Sequence, residues 1–159
     1  MIILGLDPGT AILGWGVIDT GLRHDVSQAR CLSYGVITTD KGMTDSQRLV
    51  AIANGLELLL PEYQPERACV EKLFFSRNVT TAMTVSQARG VILLTLERQQ
   101  VPMSEYTPLQ IKQALTGYGK ADKKQMQEMV KRLLHLETIP KPDDAADALA
   151  IALTTAAYG

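Results

Sequence analysis

The sequence predicts an α/β fold: a five-stranded mixed sheet flanked by helices on both faces. Three observations carry this. Three short β-like runs joined by short loops open the chain, the pattern of an antiparallel meander. Strands then alternate with helical patterns, which predicts parallel pairing in the second half. The chain closes on a helix that is apolar on nearly every face, as a buried helix is.

Residues 1–6 form an apolar run halted by Asp7-Pro8-Gly9, a buried strand stopped by a turn. Gly14-Trp15-Gly16-Val17-Ile18 reads as its hairpin partner. Residues 30–38 alternate as a third strand, with Leu32, Tyr34 and Val36 on one face. Asp45-Ser46 opens a helix carrying Leu49, Ile52, Ala53, Leu56 and Leu60 at helical spacing, and Pro61 is expected to stop it. Residues 67–71 are β-like, 79–99 helical and 101–106 β-like. Thr107 caps the next helix, with Pro108 in its first turn. After the loop 117–120, Met126, Met129, Val130, Leu133 and Leu134 mark another helix. The last runs from about 143 to 157, giving the order βββαβαβααα in a single domain over 1–159.

Composition excludes little. The chain is 46% hydrophobic and 21% charged, ordinary for a globular protein. No apolar run approaches the ~20 residues a membrane helix needs. The start lacks the basic flank of a signal peptide, so cytoplasmic residence is the expectation. Cys31 and Cys69 lack metal-site spacing and read as free buried thiols. His24 and His135 are isolated, which leaves no zinc cluster. The net charge of −1 conceals a division: residues 67–132 hold 11 Lys/Arg against 5 Asp/Glu, and the rest hold 5 against 12. Nucleic acid can therefore be bound only through a local basic surface.

The carboxylates are the informative residues. Asp7 and Glu71 each end a β-like run, where an acid can project from a packed sheet into a cleft. Taken alone, turn chemistry before Pro-Gly is the readier account of Asp7, and a solvated strand terminus explains Glu71 equally well. Asp143 and Asp144 suit a helix N-terminus. Asp147 does not fit that account: it lies among Ala145, Ala146, Ala148, Leu149, Ala150, Ile151 and Ala152, where an unpaired charge is costly. Asp144 and Asp147, three apart, share a helix face. If that face meets the strand ends, four acids converge, and their repulsion calls for cations. Oxygen-only ligands suit Mg²⁺ or Mn²⁺, and two ions about 3.5–4 Å apart serve phosphodiester cleavage.

Taken together, Gly5-Leu6-Asp7-Pro8-Gly9 with Gly14-Trp15-Gly16, Val70-Glu71-Lys72-Leu73-Phe74, Ser86-Gln87-Ala88-Arg89-Gly90, Gln110-Ile111-Lys112-Gln113 and the run from Asp144 to Ala152 resemble the RuvC family of crossover-junction endonucleases. The likeness runs in order over nearly the whole chain. It implies an RNase H-like fold and a homodimer. It also implies Mg²⁺-dependent resolution of four-way (Holliday) junctions by paired symmetric nicks, with a short T-containing target. Mn²⁺ is expected to substitute, and a branch-migration motor complex is the further partner it brings to mind. Carried over, Asp7, Glu71, Asp144 and Asp147 match the metal-binding carboxylates. Asp143 falls one place before the motif. Some members place His where Asp144 stands. Lys112 and Lys123 match basic positions used for DNA contact or catalysis, with Lys124 an alternative in a loose register. Phe74 matches an aromatic that stacks on a junction base. Members are often clearly basic, and here the chain departs from the pattern.

The basic middle adds candidates. Phe74 beside Arg77 makes a stacking platform after Glu71. Lys120, Lys123 and Lys124 flank a helix start, where cations oppose the helix dipole and phosphate contact is the better reason for them. A solvated loop is the plain alternative. The 79–99 helix, with Ala82, Ala88 and Gly90 among Met83, Val85, Val91 and Leu94, is apolar widely enough to serve the sheet and a second copy.

Three other readings compete. An RNA–DNA hybrid hydrolase would use the same acids. An actin-like nucleotide-binding domain would use Asp7-Pro8-Gly9-Thr10 as a phosphate loop, but needs a second lobe for which 159 residues leave no room. An inactive DNA-binding module leaves Asp147 unexplained.

Overall fold

A computed structural model of the chain describes residues 1–22, 25–73 and 79–158. The strands are β1 (Ile2–Asp7), β2 (Ile12–Asp19), β3 (Arg30–Thr38), β4 (Arg67–Glu71) and β5 (Met103–Tyr106). The helices are α1 (Asp45–Tyr63), α2 (Val79–Arg98), α3 (Pro108–Thr116), α4 (Lys123–Leu133) and α5 (Asp143–Tyr158). The five strands form one mixed sheet in the order β3-β2-β1-β4-β5. β1–β2 and β2–β3 pair antiparallel; β1–β4 and β4–β5 pair parallel.

Side chains alternate across a strand, so each strand feeds two cores. Leu4, Leu6, Ala68 and Val70 face α1 and α2, where they meet Ile52, Leu56, Ile92 and Leu96. Ile3 and Cys69 face the other way, toward Ile111 and Leu115 of α3, Met126 and Val130 of α4, and α5. The central side chains are fully buried, each worth about 1.5–3 kcal/mol.

The caps follow the sequence. Thr44, Thr107 and Asp122 each cap a helix by accepting from a backbone N–H, and a glutamine at the third helical position bonds back in each case. Gly117, with φ of 69°, ends α3 in the left-handed region.

Three expectations need correction. Pro61 does not stop α1, which runs on to Tyr63 and ends at Gln64 in the left-handed conformation. In the last turn, the missing proline N–H removes a single intrahelical bond. β5 starts at Met103 rather than 101: Pro102 has no N–H to pair, although its carbonyl accepts from the Ala68 amide at 2.8 Å. α2 does have the length and mean hydropathy (1.2) of a membrane-crossing helix. One face of it, with Ala82, Ala88, Ile92, Thr95 and Leu96, is buried in the molecule, while Val79, Met83 and Leu94 are exposed. A short 3₁₀ turn, Val26–Gln28, capped by Asp25, completes the chain path before β3.

Candidate active site

Asp7 and Glu71 reach the same place through strand register. β1 and β4 are adjacent and parallel, with Leu6 opposite Val70. The next residues, Asp7 and Glu71, therefore leave the two strands side by side. Both fall on the alternation that sends Ile3 and Cys69 toward α5.

α5 brings the other two acids. It lies almost flush on the sheet because β1 and β2 carry glycines beneath it. A Cβ on Gly14 would stand 2.1 Å from the Asp144 carbonyl oxygen, and one on Gly5 2.0 Å from that of Ala148. Residues 148–156 of α5 are buried almost throughout, while Asp147 keeps a side chain 42% exposed. Asp147 thus escapes from an apolar helix into a cleft.

That cleft, of about 220 Å³, is lined by Asp7, Glu71 and Asp147, by Lys112 and Lys123, and by an apolar wall of Pro108, Ile111, Met126, Ala150 and Ile151. The Asp7 carboxyl is pushed up to about 8, first by burial, then by Glu71, Asp147 and Asp144 in turn; Lys123 opposes the shift. Glu71 is raised by burial and by Asp147, against Lys112. Asp147 is raised by burial, with Lys123 pulling the other way. Asp144 is coupled to Asp7 and Asp147 without being part of the cleft wall.

Lys123 separates the candidate lysines. Its Nζ lies 3.6 Å from Asp147 Oδ2 and 3.2 Å from Asp143 Oδ2. Burial lowers its pKa, but the two aspartates outweigh that and raise it. Lys124, one residue on, points elsewhere, into an open groove with Thr116, Tyr118, Met129 and Arg132. Lys123 is therefore the lysine at the acids. Lys120 is exposed on the loop before α4. Phe74 and Arg77 lie outside the described residues, as does His24.

Asp143 stands apart, as its position before the motif implies. Lys141 Nζ donates to it at 2.9 Å and Gln127 Nε2 at 3.1 Å. With Lys141 and then Lys123 bonded to it, its carboxyl is held down to about 2.

The donor set is oxygen-only, as Mg²⁺ and Mn²⁺ prefer. Among the described residues, no three acid, imidazole or thiol groups are drawn close enough to enclose one ion, and Lys123 neutralises part of the acid charge. The fit rests on the donor chemistry around Asp7: its carboxyl is raised first by burial and then by three neighbouring acids, and a divalent cation held there would offset both.

One contributor carried no role in the sequence reading. Arg89 of α2 pairs with Glu105 of β5, and its Nε donates to the Glu71 carbonyl at 3.4 Å. The motif around Arg89 was visible; its target, on a strand 16 residues later, was not.

A five-stranded mixed sheet, with acids at the ends of two neighbouring central strands and on a helix packed across them, is the arrangement of an RNase H-like nuclease. A Thermus thermophilus RuvC structure superimposes with a TM-score of 0.90 at 37% identity, covering 99% of this chain and 95% of that one. Another, of T. thermophilus RuvC in complex with a Holliday junction substrate, gives 0.88 at 35% identity over 99% and 94%. A crossover junction endodeoxyribonuclease RuvC of Brevibacillus brevis is 55% identical over 158 residues, 99% of this chain and 93% of that protein. The family model for crossover junction endodeoxyribonuclease RuvC matches residues 3–155, and the chain belongs to that family. Membership implies a divalent-metal requirement in general terms.

Proposed function

We propose that this chain, as a single nuclease domain, resolves four-way DNA junctions by Mg²⁺-dependent, paired symmetric cleavage. The observation that carries the reading is the convergence of Asp7, Glu71 and Asp147 in one cleft with Lys112 and Lys123 on its rim. The similarity to a RuvC solved with a junction substrate supports the choice of DNA.

In this reading Asp7, Glu71, Asp144 and Asp147 hold the metal, with Mn²⁺ able to replace Mg²⁺. Bound there, such ions supply a more acidic water and neutralise charge on the phosphoryl oxygens. The protein's own groups do the rest. The apolar wall of Pro108, Ile111 and Met126 limits water around the acids and so strengthens their field. Lys112 and Lys123 place positive charge where the scissile phosphate enters. Lys120 and Lys124 extend the basic track along the backbone, and Phe74 and Arg77 engage the junction centre.

The partner copy is assigned to α2. Val79, Met83 and Leu94 are exposed on it, and among the described residues beyond the helix's own backbone nothing lies within 4 Å of a Cβ built on Gly90. A two-fold pair of sites can cut two equivalent strands of a junction symmetrically. A branch-migration motor complex is the further partner of this activity, and the cytoplasm its setting.

The test is incubation of the purified protein and Mg²⁺ with a mobile four-way junction, a linear duplex and an RNA–DNA hybrid. Paired nicks confined to the junction support the reading. Preferential cleavage of the hybrid would overturn it.

A further inference from the structure

Arg89 belongs to the Ser86-Gln87-Ala88-Arg89-Gly90 motif, and its side chain is 20% exposed. It approaches the sheet from the α2 side. There it meets two neighbouring strand ends: its Nη2 pairs with the Glu105 carboxylate, and its Nε donates to the Glu71 carbonyl at 3.4 Å. Glu105 lies opposite Val70 in the β4–β5 register, so it shares the face of Val70, toward α2. The Glu71 side chain, one residue on, takes the opposite face, toward Asp7 and Asp147. Arg89 therefore stands behind the sheet from the cleft and touches the backbone of the residue whose carboxylate enters it.

Stability alone is a poor reason for this pair. Glu105 Oε1 is buried against the Arg89 guanidinium, the charge that faces it among the described residues. A partly buried ion pair of this kind repays its desolvation only with good geometry, and apolar side chains often serve as well. What apolar side chains cannot do is bond the Glu71 carbonyl. Just beyond, the Lys72 amide donates to the Tyr106 carbonyl at 2.8 Å, the last β4–β5 bond among the described residues.

We propose that Arg89 is a positioning residue for Glu71: anchored on Glu105, it pins the end of β4 and fixes where the Glu71 carboxylate stands relative to Asp7. The proposal rests on the reading of Glu71 as a metal ligand. Groups that orient a metal ligand typically change affinity or rate about 10–100-fold when removed.

Arg89→Gln removes the charge and most of the reach. Four measurements define its effect: thermal unfolding, junction binding in Ca²⁺, single-turnover cleavage across a Mg²⁺ titration, and Mn²⁺ binding to the free protein by calorimetry. The expected variant folds and binds junction within about twofold of wild type. It cleaves at least about tenfold more slowly, needs more Mg²⁺ for half-maximal rate, and binds Mn²⁺ correspondingly more weakly. Arg89→Lys keeps the pairing with Glu105 but loses the planar fork, and recovers part of both effects. A folded Arg89→Gln with wild-type Mg²⁺ dependence and Mn²⁺ affinity overturns the proposal. If Arg89→Gln does not fold, Glu105→Gln decides by the same measurements: weakened Mn²⁺ binding supports the clamp, and wild-type binding overturns it. Glu71→Gln keeps the two readings distinct. Cleavage retained in Glu71→Gln defeats the ligand role itself, whereas an inactive Glu71→Gln beside a normal Arg89→Gln defeats the clamp alone.

Discussion

Gly14 and Asp144 leave no room for a side chain between them: a Cβ on Gly14 would stand 2.1 Å from the Asp144 carbonyl oxygen and 3.1 Å from the Asp144 Cβ. This contact, with that of Gly5 beneath Ala148, sets the height of α5 above the sheet and with it the distance from Asp147 to Asp7.

Gly14→Ala is therefore expected to lift the start of α5. Overpacking against a backbone atom costs about 1–3 kcal/mol. Thermal unfolding measures that cost, and the loss in single-turnover cleavage by the folded variant should exceed what it explains. A cleavage rate equal to wild type in Gly14→Ala would show that the acids tolerate the displacement.

Asp7→Asn, Glu71→Gln, Asp144→Asn and Asp147→Asn should each abolish cleavage while junction binding survives. Asp147 is the sharpest case, because it is the charged side chain within the buried stretch 145–156 of α5. Near wild-type cleavage by Asp147→Asn at saturating Mg²⁺ would remove it from the metal site.

The raised Asp7 carboxyl gives the site a pH signature. Its folded value, about 8, lies above the ordinary 3.8, so the stability it contributes is complete below pH about 4 and is lost as pH rises through about 8. Without divalent cation, Asp7→Asn should melt with wild type near pH 4 and progressively above it toward pH 9. In the wild type, a cation must displace the Asp7 proton at low pH. The Mg²⁺ concentration for half-maximal cleavage should therefore fall as pH rises toward about 8. A Mg²⁺ requirement that does not change from pH 6 to 9 contradicts this.

Lys123 and Lys124 should part company. Lys123→Ala removes the cation 3.6 Å from Asp147 and should slow cleavage at saturating junction. Lys124→Ala, in the neighbouring groove, should leave that rate intact and act on binding. Removing a lysine that neutralises a DNA phosphate, whether Lys124 or Lys112, lowers the salt slope of binding by about 0.9. Equal cleavage rates for Lys123→Ala and Lys124→Ala would erase the distinction.

Gly90→Leu tests the dimer without the ambiguity of a core position. Beyond the helix's own nearby backbone, no heavy atom of the described residues lies within 4 Å of a Cβ there, so the monomer should melt no lower than wild type. In a helix, leucine is in fact favoured over glycine by about 0.5–1 kcal/mol. Sedimentation should show weaker self-association, and paired nicks should become scattered single ones. A variant that still dimerises and still nicks in pairs places the interface elsewhere.

Much of this site was legible in the sequence because its parts obey local rules. Strand ends can be read from apolar runs meeting turns, which located Asp7 and Glu71. The improbability of a charge among alanines located Asp147. What was not legible depends on which elements become neighbours. Nothing local says that β4 settles between β1 and β5, and that placement aligns Asp7 with Glu71 and Glu105 with Arg89. The choice between Lys123 and Lys124 likewise turned on where Asp122 caps α4, which aims one side chain at α5 and the next away from it. Pro61 misled because its rule concerns helix interiors, and it stands in a last turn.

α5 touches all five strands, and its body is buried almost end to end. Its amides should be among the slowest in the protein to exchange with deuterated water, opening only when the whole molecule unfolds. The acids of α5 ride on that unit, whereas Lys112 and Lys123 stand on α3 and α4, two short helices outside it. If the amides of α3 and α4 exchange ahead of those of α5, the basic wall is the side of the cleft that yields to a strand, and the α5 acids form the fixed jaw of a vice.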